Sequence, residues 1–203
     1  MDAPAAQPDR LTTALAAIDA ANAADPNVVV IDGIEQPKEL AHAQLMTRWV
    51  RTLSPDCSDE QLIAARAHHL RRWAIPRDDY PRDRAGYLRW RSTLRRQHAR
   101  EVGDIMQRAG YTDEEIEHVQ AIVRKQGLGR DPEVQVHEDA LCLVFLETQF
   151  DALAAQLDDD DKMLEILRKT AAKMSADGLA AVSRVPLSPE GAALLAQAVG
   201  DGP

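Results

Sequence analysis

The sequence predicts an all-α protein, folded as a compact single-domain bundle of about seven to nine helices. Three observations indicate this. Hydrophobic residues make up 45% of the 203 residues but aromatic residues only 4%. Alanine and leucine dominate while β-branched residues are sparse, which favours helices. Finally, helix-capping residues and glycine or proline stops recur along the chain.

Most predicted helices begin at a capping residue or at a proline that suits a first turn. The starts are Asp9, Pro37, Ser58 with Gln61, about Tyr87, Thr112 with Glu115, Asp131 with Pro132, about Asp159, and Ser188 with Pro189. The ends of the first seven are the "DPN" at 25–27, about Leu53, Pro76, Gly110, Gly127, about Leu157 and Gly178. The "VVVIDG" after the first helix could form a short strand, but the sequence offers it no partner.

The length suits one domain over residues 9–199, with flexible ends at residues 1–8 and 200–203. A net charge of −9 argues against broad nucleic-acid binding. The two cysteines, Cys57 and Cys142, suggest neither a disulfide framework nor a cysteine-rich zinc site. There is no secretory signal and no apolar run long enough for a membrane span, so we expect a cytoplasmic protein without membrane contact.

Charge and aromatic residues concentrate in residues 66–100. This segment holds eleven arginines, no lysine and three aspartates, in a chain whose net charge is negative. A guanidinium offers a planar fork to phosphate or carboxylate and stacks on rings. We therefore predict a small anionic ligand here. The predicted binding residues are Arg72, Trp73, Arg77, Tyr80 and Arg91. Alternatively, these arginines only pair with acids elsewhere, such as those at 158–161.

Histidines and carboxylates supply a candidate metal site. His69, Arg72 and Trp73 would share one helical face, and His98 lies on the next helix. Glu138 and Asp139 directly precede "ALCLVFL", which is apolar on every face and therefore predicted to be buried. Carboxylates there must be paired, hydrogen-bonded or metal-bound. We predict His69, His98 and Asp139 as ligands of a divalent ion (zinc, manganese or iron) and Glu138 as general base.

Two further observations carry less weight. Glu39 and His42 have the i, i+3 spacing of Glu-x-x-His pairs in helical di-metal proteins, but that spacing is common by chance. His118 and His137 are predicted to be surface residues.

Several strings resemble a bacterial and fungal family of unknown function, numbered four-two-zero-two. They are "RWAIPRDDYPRDRAGYLRWR", "AGYTDEEIEHVQAIVRKQGL", "EDALCLVFLE" and "LRKTAAKMSADGL", and the resemblance covers roughly residues 10–188. His69, His98 and the Glu138–Asp139 pair match the family's pattern, whereas position 42 is often tyrosine there. The layout also resembles HD-domain metal-dependent phosphohydrolases, with His69 where their motif has aspartate.

The sequence leaves three functions open. The first is a metal-dependent hydrolase-type enzyme that acts on a small anionic substrate, such as a phosphorylated compound or a nucleotide. The second is a non-catalytic module that binds an anion or nucleotide. The third is a structural or interaction protein whose arginines and acids only form salt bridges.

Overall fold

The computed structural model describes residues 9–31, 33–157 and 159–200. These residues form ten α-helices and one small sheet, which confirms the predicted all-α class. The helices are α1 (Arg10–Asn22), α2 (Lys38–Leu53), α3 (Asp59–Arg66), α4 (Arg84–Arg108), α5 (Asp113–Val123), α6 (Pro132–Thr148), α7 (Phe150–Leu157), α8 (Asp160–Ala171), α9 (Ala176–Ala181) and α10 (Pro189–Gly200).

The chain divides into two compact units. The first contains the described residues of 9–47 and 57–126, and the second those of 48–56 and 127–200. In the first unit, α5 packs on α3 and α4, and α1 packs on the same two helices. In the second, α8 packs on α7 and α10, and α9 packs on α6.

Side-chain caps explain why the helices start where the sequence predicts. The Asp9 carboxylate accepts from the Thr12 N–H at 2.7 Å at the start of α1. Ser58 with Gln61 and Thr112 with Glu115 form complete capping boxes on α3 and α5. Each cap satisfies backbone N–H groups that have no partner within the helix.

The "VVVIDG" segment does have a strand partner, contrary to expectation. Strand β1 (Val28–Ile31) pairs antiparallel with β2 (Ile34–Pro37), and Ile31 lies opposite Ile34. Gly33 in the connection has a φ of 77°, a left-handed value that glycine adopts without strain. The second strand thus comes from residues 34–37, directly before α2, for which the sequence predicted no strand.

The third predicted helix is shorter than expected. It ends at Arg66 instead of continuing to Pro76, and it is followed by a turn and two 3-10 helices, Arg72–Ala74 and Arg77–Asp79. The prediction that His69, Arg72 and Trp73 share one α-helical face is therefore wrong. Helix propensity alone does not reveal this break, because "ARAHHLRRWA" contains no glycine or proline.

Two other long helices are also divided. The predicted sixth helix breaks after Thr148 into α6 and α7. The predicted seventh helix breaks at 172–175, where Ser175 caps α9 by accepting from the Gly178 N–H. None of the helices in the described residues has the length and hydrophobicity needed to cross a membrane.

Candidate metal centre

Four histidines meet inside the first unit. His42 lies on α2, His68 and His69 lie in the turn after α3, and His98 lies on α4. The ring centroids of His42 and His69 are 4.3 Å apart, those of His68 and His69 4.4 Å, and those of His69 and His98 6.1 Å. We call these four residues the histidine cluster. The structure thus brings together His69 and His98, the two histidines predicted as ligands.

The turn after α3 directs two successive histidines into the interior. The Leu70 N–H donates at 3.0 Å to the carbonyl three residues earlier, so the backbone winds more tightly than an α-helix. Arg71 then adopts a left-handed φ of 51°, and its N–H donates to Asn22 Oδ1 at 3.1 Å. Leu70 is fully buried and anchors the turn. As a result His68 is buried and His69 nearly so.

Glu39 adds a carboxylate to the histidine cluster. It lies in the first turn of α2, where its N–H donates to Asp25 Oδ2 at 3.0 Å. Its Oε2 is 3.1 Å from His69 Nδ1. Burial raises the pKa of Glu39 to about 7, while the Arg72 guanidinium opposes that rise. Glu39, His42 and His69 each offer a ligand atom within 4.8 Å of the other two.

His42 and His98 hold buried nitrogens without hydrogen-bond partners. Neither ring nitrogen of His42 has a partner, although its residue exposure is only 6%. His98 Nδ1 lies 2.8 Å from the Leu70 carbonyl oxygen and must donate to it, which leaves a lone pair on the buried, unpartnered Nε2. Burial lowers the pKa of His42 to about 3 and that of His98 to about 4. Both rings are therefore neutral at pH 7, the form that binds metal ions.

The spacing of the rings suits ligation of one ion. Metal–nitrogen bonds of about 2.0–2.1 Å place imidazole centroids roughly 3.2 Å from the metal, so two rings at a tetrahedral angle lie about 5 Å apart. The centroid separations within the cluster lie on either side of this value. The His42 and His69 rings are stacked with 24° between their planes, and the ligand atoms of Glu39, His42 and His69 lie within 4.8 Å of one another, so they would have to turn toward a common point to share one ion.

Arg72 lies against the same cluster. Its Nη1 is 3.3 Å from His69 Nε2, and its Nε is 3.9 Å from Glu39 Oε1. The guanidinium carbon is 4.6 Å from the Trp90 ring centroid, and the Trp90 indole N–H donates to the Ile75 carbonyl at 2.9 Å. Burial lowers the pKa of Arg72, with Glu39 opposing the change. The structure therefore places a cation, an aromatic ring and the histidine cluster in contact.

The other predicted ligand-binding residues are Trp73, Arg77, Tyr80 and Arg91. The two arginines lie on the same aromatic ring, that of Tyr87. The Arg77 guanidinium donates to the Tyr80 carbonyl at 2.9 Å and lies 6.0 Å from the Tyr87 ring centroid. Arg91 lies 5.7 Å from the same Tyr87 centroid. Tyr80 thus contributes its backbone oxygen to Arg77, and Trp73 is half-buried in its 3-10 helix.

Sequence reasoning missed the rings that stack with these arginines. It named Trp73 and Tyr80, whereas the rings beside guanidinium groups are those of Tyr87 and Trp90. The i, i+3 spacing of Tyr87 and Trp90 within "GYLRWR" was a signal that both rings lie on one helical face.

Asp139 and Glu138 belong to the second unit, on α6. Asp139 Oδ1 accepts from the Ser175 N–H at 2.9 Å and from Gln135 Nε2 at 3.0 Å, and its Oδ2 accepts from the Ser175 hydroxyl at 2.5 Å. A Cβ on Gly178 would lie 2.6 Å from the Asp139 carboxyl carbon, so a larger residue there would force the Asp139 side chain to shift. Asp139 thus holds the start of α9, and its role as a metal ligand stays a prediction.

The predicted burial of α6 is confirmed, but the prediction that His137 lies on the surface is wrong. Glu138 is 5% exposed and Asp139 2%. His137, expected on the surface, is 1% exposed, because α6 is already enclosed at this point. His118 is exposed as predicted. The role of Glu138 as general base stays a prediction.

The fold and the histidine cluster together define a helical protein with a buried set of imidazoles, a carboxylate and an arginine. The chain belongs to the family described as a domain of unknown function, DUF4202, whose model matches residues 12–195. No curated protein and no solved structure matches the chain.

Proposed function

We propose that this protein is a metal-dependent, hydrolase-type enzyme that acts on a small anionic substrate. The observation that carries the proposal is the convergence of Glu39, His42 and His69, with both His42 nitrogens buried and without partners. A buried donor or acceptor without a partner costs about 1–3 kcal/mol. A bound ion would offset that cost, because it takes up the lone pair of the imidazole.

The donor set favours a transition metal. Neutral imidazoles with one carboxylate suit zinc, manganese or iron, and calcium and magnesium prefer oxygen ligands. Glu39, His42 and His69 would be the first ligands, with His98 Nε2 available as a fourth. This set keeps His69 and His98 from the sequence prediction and adds two residues of α2. When bound, the metal would supply a polarised water as nucleophile.

The surroundings favour an anionic substrate. Arg72 lies against both His69 and Glu39, and the Trp90 ring supports its guanidinium. A guanidinium fork binds two oxygens of a phosphate or carboxylate at once. Arg77 and Arg91 beside the Tyr87 ring extend the positive region. These contacts support a substrate whose anionic group approaches Arg72.

Elemental analysis of the untagged, purified protein tests the proposal. We expect about one transition metal ion per chain, lost in His42→Leu and in His69→Ala. His118→Ala is the matched control, because His118 is exposed and lies outside the histidine cluster. It should keep its metal. Metal-dependent hydrolysis would then be measured on a panel of phosphoesters and nucleotides.

Metal contents that are equal in all four proteins would show that the cluster is not a metal site. Metal binding without turnover of any ester on the panel would leave the metal centre standing and argue against the hydrolase.

A non-catalytic module that binds an anion or nucleotide is the second candidate. The stacking of Arg72 on Trp90 favours it, because an aromatic ring beside a guanidinium is suited to planar anionic ligands. That function predicts phosphate or nucleotide binding that a chelator does not change. The metal-dependent enzyme predicts binding that is lost when the metal is removed.

A further inference from the structure

His69 is held between two charged side chains. Its Nδ1 is 3.1 Å from Glu39 Oε2, and its Nε2 is 3.3 Å from Arg72 Nη1. Arginine has only donors, so Nε2 must accept. Nδ1 therefore carries the ring hydrogen and donates to Glu39. The single lone pair of this neutral imidazole is occupied by Arg72.

A metal ion and Arg72 cannot both use that lone pair. A neutral imidazole has one lone pair in its ring plane, at whichever nitrogen lacks the hydrogen. A metal on Nε2 takes the place of the Arg72 N–H directly. A metal on Nδ1 moves the hydrogen to Nε2, which then points a donor at another donor. Either mode of ligation breaks the contact between Arg72 and His69.

We propose that Arg72 is an internal cation that the metal displaces, and that the displaced guanidinium then binds the anionic group of the substrate. The inference rests on the metal centre proposed above and adds an order of binding, metal first and oxyanion second. Trp90 is the fixed support in both states, because its indole N–H is bonded to the Ile75 carbonyl. Arg72 can therefore leave His69 without leaving the ring beneath it.

The substrate group that fits is an oxyanion with two accessible oxygens, a phosphate or a carboxylate. Once free of His69 and Glu39, the guanidinium has unpaired N–H groups beside the metal ligands. A planar fork then meets two oxygens of one anion. Arg72 would thus determine specificity for an oxyanion and would not take part in bond breaking.

The test measures two affinities in one variant, and the expected effects have opposite signs. In Arg72→Gln, zinc affinity, measured by competition with a chromophoric chelator, should rise about tenfold, because a competing cation is gone. Inorganic phosphate should bind zinc-loaded Arg72→Gln at least tenfold more weakly than zinc-loaded wild type, measured by calorimetry after excess zinc is removed. A merely structural arginine would lower both affinities.

Two further variants complete the design. Arg89→Gln removes one exposed arginine of α4 and controls for general charge effects, so both of its affinities should stay within about twofold of wild type. Arg72→Lys keeps a positive charge at this position, and it replaces Arg72→Gln as the test variant if Arg72→Gln does not fold. Its zinc affinity should stay near that of wild type, while its phosphate affinity falls.

Unchanged or weaker zinc binding in Arg72→Gln, with wild type binding zinc, would overturn this inference alone. Phosphate binding that does not depend on Arg72 would also overturn it. Absence of zinc binding in wild type would overturn the inference together with the proposed metal centre.

Discussion

Asp139 in the second unit and His42 in the first are both buried polar residues, at 2% and 6% exposure. The two carboxylate oxygens of Asp139 accept three hydrogen bonds, whereas neither nitrogen of His42 has a partner. Polar groups that only stabilise a fold are normally satisfied within it. The Asp139 carboxylate is therefore satisfied within the fold, whereas the unpartnered nitrogens of His42 are the feature that supports the metal centre proposed above.

Asp139→Ala should give the largest loss of stability. The substitution removes an acceptor from three donors of Ser175 and Gln135, and hydrogen bonds to charged groups contribute about 1.5–3 kcal/mol each. Because the lost contacts are shared and not additive, we expect the free energy of unfolding to fall by about 3 kcal/mol. Urea denaturation measures it.

The exposed Asp177→Ala is the control for Asp139→Ala, and its effect should stay within about 0.5 kcal/mol. Metal content should be unchanged in both variants. Loss of metal in Asp139→Ala with little change in stability would support the predicted role of Asp139 as a ligand and remove the contrast with His42.

His42→Leu should have the opposite effect on the metal-free protein. Replacing a buried imidazole that has no partners with an apolar side chain removes its desolvation cost, so stability at pH 7.5 with chelator should be unchanged or slightly higher. A functional site commonly has this signature, in which loss of function accompanies a gain in stability.

The advantage of His42→Leu should grow as the pH falls. Burial holds the pKa of His42 at about 3 in the folded chain, against about 6.5 when it is unfolded. Between these values only the unfolded state binds the proton, so His42 destabilises the fold progressively below pH 6.5. The difference between variant and wild type should increase by about 0.4 kcal/mol from pH 7.5 to 6.5 and by about 1 kcal/mol from pH 6.5 to 5.5, and its slope approaches about 1.4 kcal/mol per pH unit only at lower pH. Urea titrations at pH 7.5, 6.5 and 5.5 measure it.

Glu39 affects the pH dependence of stability with the opposite sign to His42. It does not cancel the difference in stability between His42→Leu and wild type. Its pKa is raised to about 7, so it contributes stability that is fully present below about pH 4.5 and lost as the pH rises through 7. Both proteins retain Glu39, and the comparison between them isolates His42. Parallel curves for the two proteins would show that His42 is not buried as a neutral base.

Ser175→Ala should give a smaller loss of stability than Asp139→Ala. It removes one hydrogen bond to Asp139 and the side-chain cap of α9 but leaves the Ser175 N–H in place. Loss of a serine cap typically costs about 1 kcal/mol. We expect a similar decrease in the free energy of unfolding, well below that of Asp139→Ala. Equal losses in the two variants would mean that the network depends on the serine hydroxyl alone.

Local sequence signals predicted the helices better than the histidine cluster. Caps such as Ser58 with Gln61 act within one turn of the chain, so the pattern itself contains the interaction. The turn that carries His68 and His69 depends on Asn22, nearly fifty residues earlier, which no local pattern shows. His69, His98 and Arg72 were predicted as site residues from their residue types and segment.

Glu39 and His42 were recognised as a spaced pair but set aside, because the i, i+3 spacing alone does not distinguish a ligand pair from chance. What brings them together with His69 is the meeting of α2 with the turn after α3, a tertiary contact.

The hydrogen bond from the Arg71 N–H to Asn22 has a consequence for N-terminal truncation of this protein. Asn22 is the last residue of α1, and its side-chain oxygen secures a turn whose arginine has a strained, left-handed backbone. A shortened chain that begins after α1 would keep every histidine and Glu39, yet lose the brace that aims His68 and His69 inward. Such a fragment would contain all the proposed ligands and still fail to bring them together.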